Sequence, residues 1–463
     1  MKTVQENNAG ETVLRLPLWR SLMYSAGNLS NQFLTWTFIT YLSFYYSPPE
    51  GKGLRELLPI GVTTAVLAIG RILDGFLEPV VGYWSDRTRS RWGRRIPFIM
   101  FGGLPMCIFF LLLWLPPYPN NITLTTLHLI ITNTGFWFCI TIIFCPYLAL
   151  LPEIAQSSQD RVFISQLMQV FLMIGTGVVM ILPAYFKTNY GHPEMYIIIT
   201  LLGLAAIYMP VIGIPEKKLT IAREAEEDYS IIDALKWTFT NKAFLIYVIS
   251  SLFMLLGFQT VLNTFLYVIT VLLGKPESFL AVVFAFVVVS IFISFVLIYK
   301  LTAKYSKKSV LACSYLSLAM VLPLIYFLDY ETFFGIPTFY AACALFFILG
   351  VPIAGIICLG LPIIADIADY DEKLTGKRRE AMFFGAQGIL QKYTIGLTFF
   401  IQGFLFNRYG YSEANPLGIK LLGPVTSIFV LIGLLVFIFY PLDEKSLTLK
   451  PLWRLNRKKH TSG

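Results

Sequence analysis

The sequence predicts an all-α membrane protein with twelve transmembrane helices in two six-helix pseudo-repeats, and three observations predict it. Of 463 residues, 56% are hydrophobic and only 14% charged, where a soluble chain carries about 25% charged residues. Apolar runs of about 20 residues, the length that crosses a bilayer as a helix, follow one another with short polar breaks. The longest break, Pro215 to Trp237, is charged and falls after the sixth run. A soluble multidomain chain would carry a polar face on each helix, and these runs do not.

The first run, 21-46, is the most polar, with Tyr24, Asn28, Asn31, Gln32 and Thr35. The second, 58-84, contains RILDGFLEP at 71-79 and therefore three charges. Runs three to six occupy 97-115, 124-150, 163-186 and 195-214. The second half offers 243-273, 278-299, 309-328, 332-365, 382-406 and 421-440, of which the eighth and tenth are uniformly apolar. The halves echo each other: LPEIA at 151-155 leads through DR to Gln169, and IADIA at 364-368 leads through KRRE to Gln387. SDRTRSRWGRR at 85-95 has a weaker counterpart in KLTAKYSKKSV at 300-310. The expected organisation is an N-terminal bundle over 1-214, a cytoplasmic linker over 215-242, a C-terminal bundle over 243-440 and a tail over 441-463. Two parallel six-helix repeats are the layout of the major facilitator superfamily, whose central site is exposed alternately to each side.

Most of the 36 Lys and Arg fall in segments on one side of the bilayer when the N-terminus is cytoplasmic. The positive-inside rule then places both termini in the cytoplasm of a cell-membrane, multi-pass protein. It also accounts for the net charge of +9 without nucleic acid. The first 15 residues are polar, so no cleavable signal peptide is expected. The six cysteines lie in apolar runs without a CxxC pair, which implies neither a disulfide framework nor a metal site. His128, His192 and His460 make no convincing site. No GxSxG, P-loop, HExxH or dinucleotide motif is present, so the chain does not read as an enzyme and implies no cofactor.

Asp74 and Glu78 are four apart and share a helix face, with Arg71 one turn earlier. Each charge at mid-bilayer costs roughly 2.5 to 3.5 kcal/mol on insertion scales, so all three need a protein interior or a hydrated cavity. A structural ion pair between Arg71 and Asp74 is one reading; a carboxylate pair that binds Na+ or trades a proton is the other. Pro79 frees backbone groups nearby. Further polar stripes are Asn133, Trp137 and Thr141 in span four, Gln166 and Gln169 in span five, and Gln259, Asn263 and Tyr267 in span seven. Singly each serves equally well as helix-to-helix glue; together they predict a polar central cavity. Lys392 lies too deep in span eleven to snorkel and needs a partner. Asp86, Arg87, Arg94, Arg95, Glu153 and Arg161, with Asp366, Asp369, Arg379 and Glu380, are either solvated topology determinants or ion pairs closing the cytoplasmic side.

The chain resembles the glycoside-pentoside-hexuronide:cation symporters of melibiose-permease type over nearly all twelve spans. The most specific pieces are RILDGFLEPVVGYWSDRTRSRWGRRIPF at 71-98, PYLALLPEI at 146-154 and IADIADYDEKLTGKRREAMFFGAQGILQK at 364-392. The resemblance implies cation-coupled sugar uptake. Asp74 and Glu78 match its paired second-span carboxylates, Thr141 a fourth-span hydroxyl and Lys392 the eleventh-span lysine near both sites. The departures are equally specific. A fourth-span acid is replaced by Phe144 and a second-span asparagine by Leu77, which shortens the Na+ ligand set. The galactoside-holding acid and arginine are matched by Gln32 and Gln169, and a fourth-span tryptophan by Leu148. Amides still hydrogen-bond hydroxyls, but the charged grip on a galactoside is absent. The expectation is a monomeric symporter in which Asp74, Glu78 and Thr141 hold H+ or Na+. Gln32, Asn28, Trp137, Gln169, Lys392, Gln259 and Asn263 then meet the small-molecule substrate. A lysolipid or other amphiphile is the alternative cargo, and a transport-dead sensor or scaffold the last.

Overall fold

In the computed structural model the described residues are 3–6, 12–51, 54–155, 158–190, 192–219, 238–328, 332–333, 336–375, 380–443 and 448–449. Among these described residues twelve long helices carry the fold. The first six are α1 Leu18–Tyr46, α2 Ile60–Arg87, α3 Ile96–Leu113, α4 Ile122–Ile154, α5 Ser158–Tyr190 and α6 His192–Gly213. Then come α7 Lys242–Tyr267, extended by a π-helical turn over Val268–Leu272, and α8 Phe279–Lys304. α9 Lys307–Val321 ends in a 3-10 turn over Leu322–Phe327, followed by α10 Thr338–Thr375, α11 Glu380–Tyr409 and α12 Leu422–Ile438. Eleven of them are long and apolar enough to cross a membrane; the twelfth, α1, has the length but carries a ladder of Ser, Thr, Asn and Gln.

Local signals explain the ends. Pro17 and Pro59 immediately precede α1 and α2, where a missing N–H costs nothing. Asn121 caps α4 by accepting from the Leu124 N–H at 3.1 Å, and Ser306 caps α9 by accepting from Ser309 at 3.2 Å. Pro79, Pro105, Pro146 and Pro352 lie inside helices without ending them, as neighbouring helices in a membrane bundle permit.

Three sequence expectations change. The tenth span does not start at 332: Thr332–Phe333 and Ile336–Pro337 form a two-residue ladder, and the helix starts at Thr338. The tenth helix does not end with its apolar run at 365, because α10 continues through Asp366 to Thr375. Asp86 and Arg87 likewise belong to the last turn of α2. Apolar runs report where lipid ends, whereas hydrogen-bonded helix continues into water wherever charged residues still favour it. Two further short ladders, Thr3–Glu6 with Thr12–Arg15 and Leu442–Asp443 with Thr448–Leu449, flank the helical region.

The chain packs as two compact units. The first holds Met1–Glu226, Gln259–Phe284 and Ile395–Leu421; the second holds Glu227–Phe258, Ala285–Thr394 and Leu422–Gly463. In the first, α1 is fixed to α4 by a reciprocal tyrosine clamp. The Tyr24 hydroxyl donates to the Tyr147 carbonyl at 2.6 Å, the Tyr147 hydroxyl donates to the Tyr24 carbonyl at 2.7 Å, and the rings stack. Phe38 packs against Phe136 and Trp137. In the second, Ser250 of α7 donates to the Gly433 carbonyl of α12, Tyr247 of α7 to Gly360 of α10, and Ser427 of α12 to Ala319 of α9. Such side-chain-to-backbone bonds suit helices packed in lipid, where apolar contact gives no advantage over lipid tails. The outward stripe of α8, Val282, Phe286, Val289, Phe292, Ile293 and Val296, is exposed, as a lipid-facing surface should be.

Candidate transport site

α2 and α4 run side by side and bring the intramembrane charges onto one seam. Asp74 is fully buried, and its carboxylate is used on both oxygens. Arg71 Nη1 donates to Oδ2 at 2.7 Å, and the Thr141 hydroxyl of α4 donates to Oδ1. Arg71 is itself buried and lies 4.1 Å over the Trp137 ring, a cation–π contact. Asn133, two turns before Thr141, donates to the Val66 carbonyl of α2 at 2.8 Å. The i, i+4, i+8 stripe of α4 thus meets the charged face of α2 at all three of its positions. Glu78 is half-buried one turn beyond Asp74, and the Cys145 thiol approaches its backbone carbonyl at 3.8 Å. Of the two readings of RILDGFLEP, the ion pair between Arg71 and Asp74 is present, and that pair touches Thr141 and Trp137.

Phe144 is buried with its ring edge on Tyr147, and Leu77 is half-buried. Neither Phe144 nor Leu77 offers a side-chain oxygen to a metal ion.

The predicted substrate residues divide. Gln32 is buried and its Oε1 accepts from the Thr176 hydroxyl of α5 at 3.0 Å, while Gly175 leaves room for its stem. Asn28 Nδ2 donates to the Met168 carbonyl at 3.3 Å. Gln169 and Gln166 are exposed on α5. Gln259 and Asn263 form a buried chain: Gln259 donates to Asn263 at 3.1 Å, and Asn263 donates to Thr398 of α11 at 2.7 Å. Thr398 and Thr176 were missed because a lone threonine in an apolar run carries no signal of its own. Lys392 is half-buried on α11 and belongs to the second unit.

At the ends of α2, α3 and α4, Arg94 and Arg95 both reach Glu153, at 2.7 and 2.9 Å, and Arg95 also reaches Asp86 at 3.1 Å. Every one of these pairs is made inside the first unit. Arg87 stacks over Tyr83 at 4.0 Å, and Arg161 donates to the Ala155 carbonyl at 3.0 Å. In the second unit Lys307 pairs with Asp366 at 2.6 Å, and Asp369 is exposed. Arg379 lies outside the described residues, as does the side chain of Glu380. Sequence reasoning missed Glu216. Its carboxylate accepts backbone N–H bonds from Arg94, Arg95 and Ile96 at 2.7 to 3.1 Å, which caps α3 with the start of the linker. Gly93, with φ of +125°, makes the turn that presents those N–H groups.

The family model described as MFS/sugar transport protein matches residues 23–444. The chain belongs to that family. Several relatives match it over most of its length. An uncharacterized symporter of Synechocystis is 23% identical over 93% of this chain and 95% of its own. The isoprimeverose transporter of Lactiplantibacillus pentosus is 22% identical over 88% and 85%. The sodium-dependent lysophosphatidylcholine symporter 1 of Gallus gallus is 23% identical over 93% and 88%. Among solved structures, the nucleoside transporter NupG superposes with a TM-score of 0.62 at 15% identity, covering 91% of this chain and 98% of that one. At that identity the likeness speaks for the fold alone. Within this family the chain is a multi-pass membrane transporter of major facilitator type, all-helical in its spans.

Proposed function

We propose that the chain is a cation-coupled symporter for an uncharged sugar or glycoside. Asp74, Glu78 and Thr141 carry the coupling cation, and Gln32, Asn28, Trp137, Gln169, Gln259, Asn263 and Lys392 meet the substrate. The observation that carries this reading is the continuous path Thr141–Asp74–Arg71–Trp137, which joins the carboxylate of the cation site to an aromatic platform at a spacing of bonded contacts. In this structure Arg71 covers the buried Trp137 ring, so that ring meets a sugar's C–H face only when the guanidinium moves aside, and neutral amides suit the sugar's hydroxyls. Since Arg71 and Thr141 already engage both Asp74 oxygens, a metal cation must compete with them for that carboxylate, which supports a proton carried on Asp74 and Glu78 as the coupling ion. The bundles over 1-214 and 243-440 are the moving parts, both termini are cytoplasmic, and the working form is a monomer in the cell membrane.

A second reading has one specific observation behind it. Leu148 is 55% exposed on α4, where the resembled family has tryptophan, so the same wall would tolerate an acyl chain. Counterflow in proteoliposomes separates the two. A panel of neutral mono- and disaccharides exchanging at rates far above protein-free liposomes supports the sugar reading. Exchange of lysophosphatidylcholine with none of the sugars would replace it.

A further inference from the structure

At the end of α1 remote from its N-terminus, a buried relay of side chains joins stretches of three helices that lie in the first unit. Gln402 Nε2 of α11 donates to Ser43 Oγ of α1 at 2.9 Å. Ser43 Oγ lies 3.3 Å from the Tyr267 hydroxyl of α7, and that hydroxyl donates to the Ser47 carbonyl at 2.8 Å. With the Tyr267 proton used on Ser47, Ser43 must donate to Tyr267, so each group donates once and the relay has one direction. The Ser47 hydroxyl donates to the Leu58 carbonyl and, its one proton used there, accepts from the Thr63 hydroxyl, both at 2.7 Å. Ser43, Ser47, Tyr267 and Gln402 are all buried. Around them Tyr267 packs edge-on against Phe44 and Phe406, and Phe406 stacks on Tyr411.

Two features distinguish this seam from ordinary helix glue. First, α7 and α11 each contribute to both compact units: Gln259–Phe284 and Ile395–Leu421 pack with the first, while the preceding stretches of the same helices pack with the second. The relay is attached to the first-unit stretches. Secondly, the residue that follows Tyr267 begins the π-helical turn Val268–Leu272, a local change of helical register of the kind found at functional sites.

We propose that the Gln402–Ser43–Tyr267–Ser47 relay is the latch that holds the external side shut, with the π turn after Tyr267 as the place where α7 yields when it opens. A seam of this kind has two stable settings. Dry and closed, every donor has an acceptor; fully open, water replaces each one; half open, buried hydroxyls are stranded without partners. The proposal rests on the transporter reading above, and its test is independent of the substrate.

Thr40 precedes Ser43, Phe44 and Ser47 on the same face of α1 and is buried. A Thr40→Cys variant in intact cells, treated with a membrane-impermeant maleimide, reports opening of that face above the background of the six native cysteines. Tyr267→Phe should raise the labelling rate about threefold, the worth of one hydrogen bond between membrane helices. Ser43→Ala, which interrupts the relay at its middle, should do at least as much and serves if Tyr267→Phe does not fold. Ser25→Cys, buried at the opposite end of α1, should stay unlabelled in both. Unchanged labelling of Thr40→Cys in both latch variants overturns the proposal, and so does an equal rise at Ser25→Cys, which reports loosening of the whole bundle. Sugar counterflow run on the same variants keeps the two readings apart: lost latch behaviour with intact counterflow sinks the latch alone.

Discussion

Asp74 carries a structural load as the partner of Arg71 and, on the proposed reading, a functional one as a cation carrier, and substitutions can separate them. Its carboxylate neutralises a buried guanidinium that also rests on Trp137. Breaking a buried pair by removing one partner costs about 3 to 5 kcal/mol, because the other charge stays behind. Arg71→Leu should therefore lower the denaturation midpoint of purified protein sharply, and Arg71→Leu with Asp74→Asn should recover most of the loss. If the pair were only structural, the recovered double variant would also transport against a gradient; the expectation is that it does not. Trp137→Leu removes the ring face while leaving the Asp74–Arg71 bond, so substrate exchange should weaken at least tenfold with proton sensitivity retained, measured as counterflow at two pH values. The buried ion pair was legible in RILDGFLEP because charge in an apolar run is costly. What was not legible was that Arg71 and Thr141 would occupy the two Asp74 oxygens, since i, i+3 spacing permits a pair without requiring it.

Among the elements, the start of α3 shows most clearly what a linear reading omits. The first N–H groups of a helix have no internal partner, and here they are satisfied by Glu216, more than a hundred residues later in the chain. Glu216→Ala should lower stability by about 1 to 3 kcal/mol, the cost of stranding buried donors, read as a fall in the detergent-solubilised melting temperature. Glu216→Gln, which keeps acceptor oxygen, should fall less. The hydropathy pattern marks each of the twelve long helices among the described residues, but α10 starts six residues later than expected, and α2 and α10 run on past their apolar runs, where charged residues prolong the helix. Asp366 finds Lys307 and Asp371 accepts from Asn241, pairings that no spacing rule connects.

The six-plus-six repeat is visible in the sequence, yet the compact units do not follow it: α7 and α11 each divide between them. A repeat records where chain was duplicated, whereas packing records one conformation, and alternating access exchanges helix ends between partners. Tyr267→Phe should therefore change external labelling without a matching change in thermal stability, which distinguishes a shifted equilibrium from a damaged fold. At the same scale, exposed glutamines on α5 and the buried amide chain Gln259–Asn263–Thr398 supply neutral hydrogen-bonding groups.

The central claim is that cation and sugar cross together because Asp74 and Glu78 carry the cation. The most direct measurement is proton movement in proteoliposomes loaded with a pH indicator, when a sugar that passes the counterflow screen is added outside. The wild-type protein should acidify the lumen in step with sugar entry, and Glu78→Gln should exchange sugar without moving protons. Concentrative sugar uptake by Glu78→Gln with the wild-type proton flux would contradict the account.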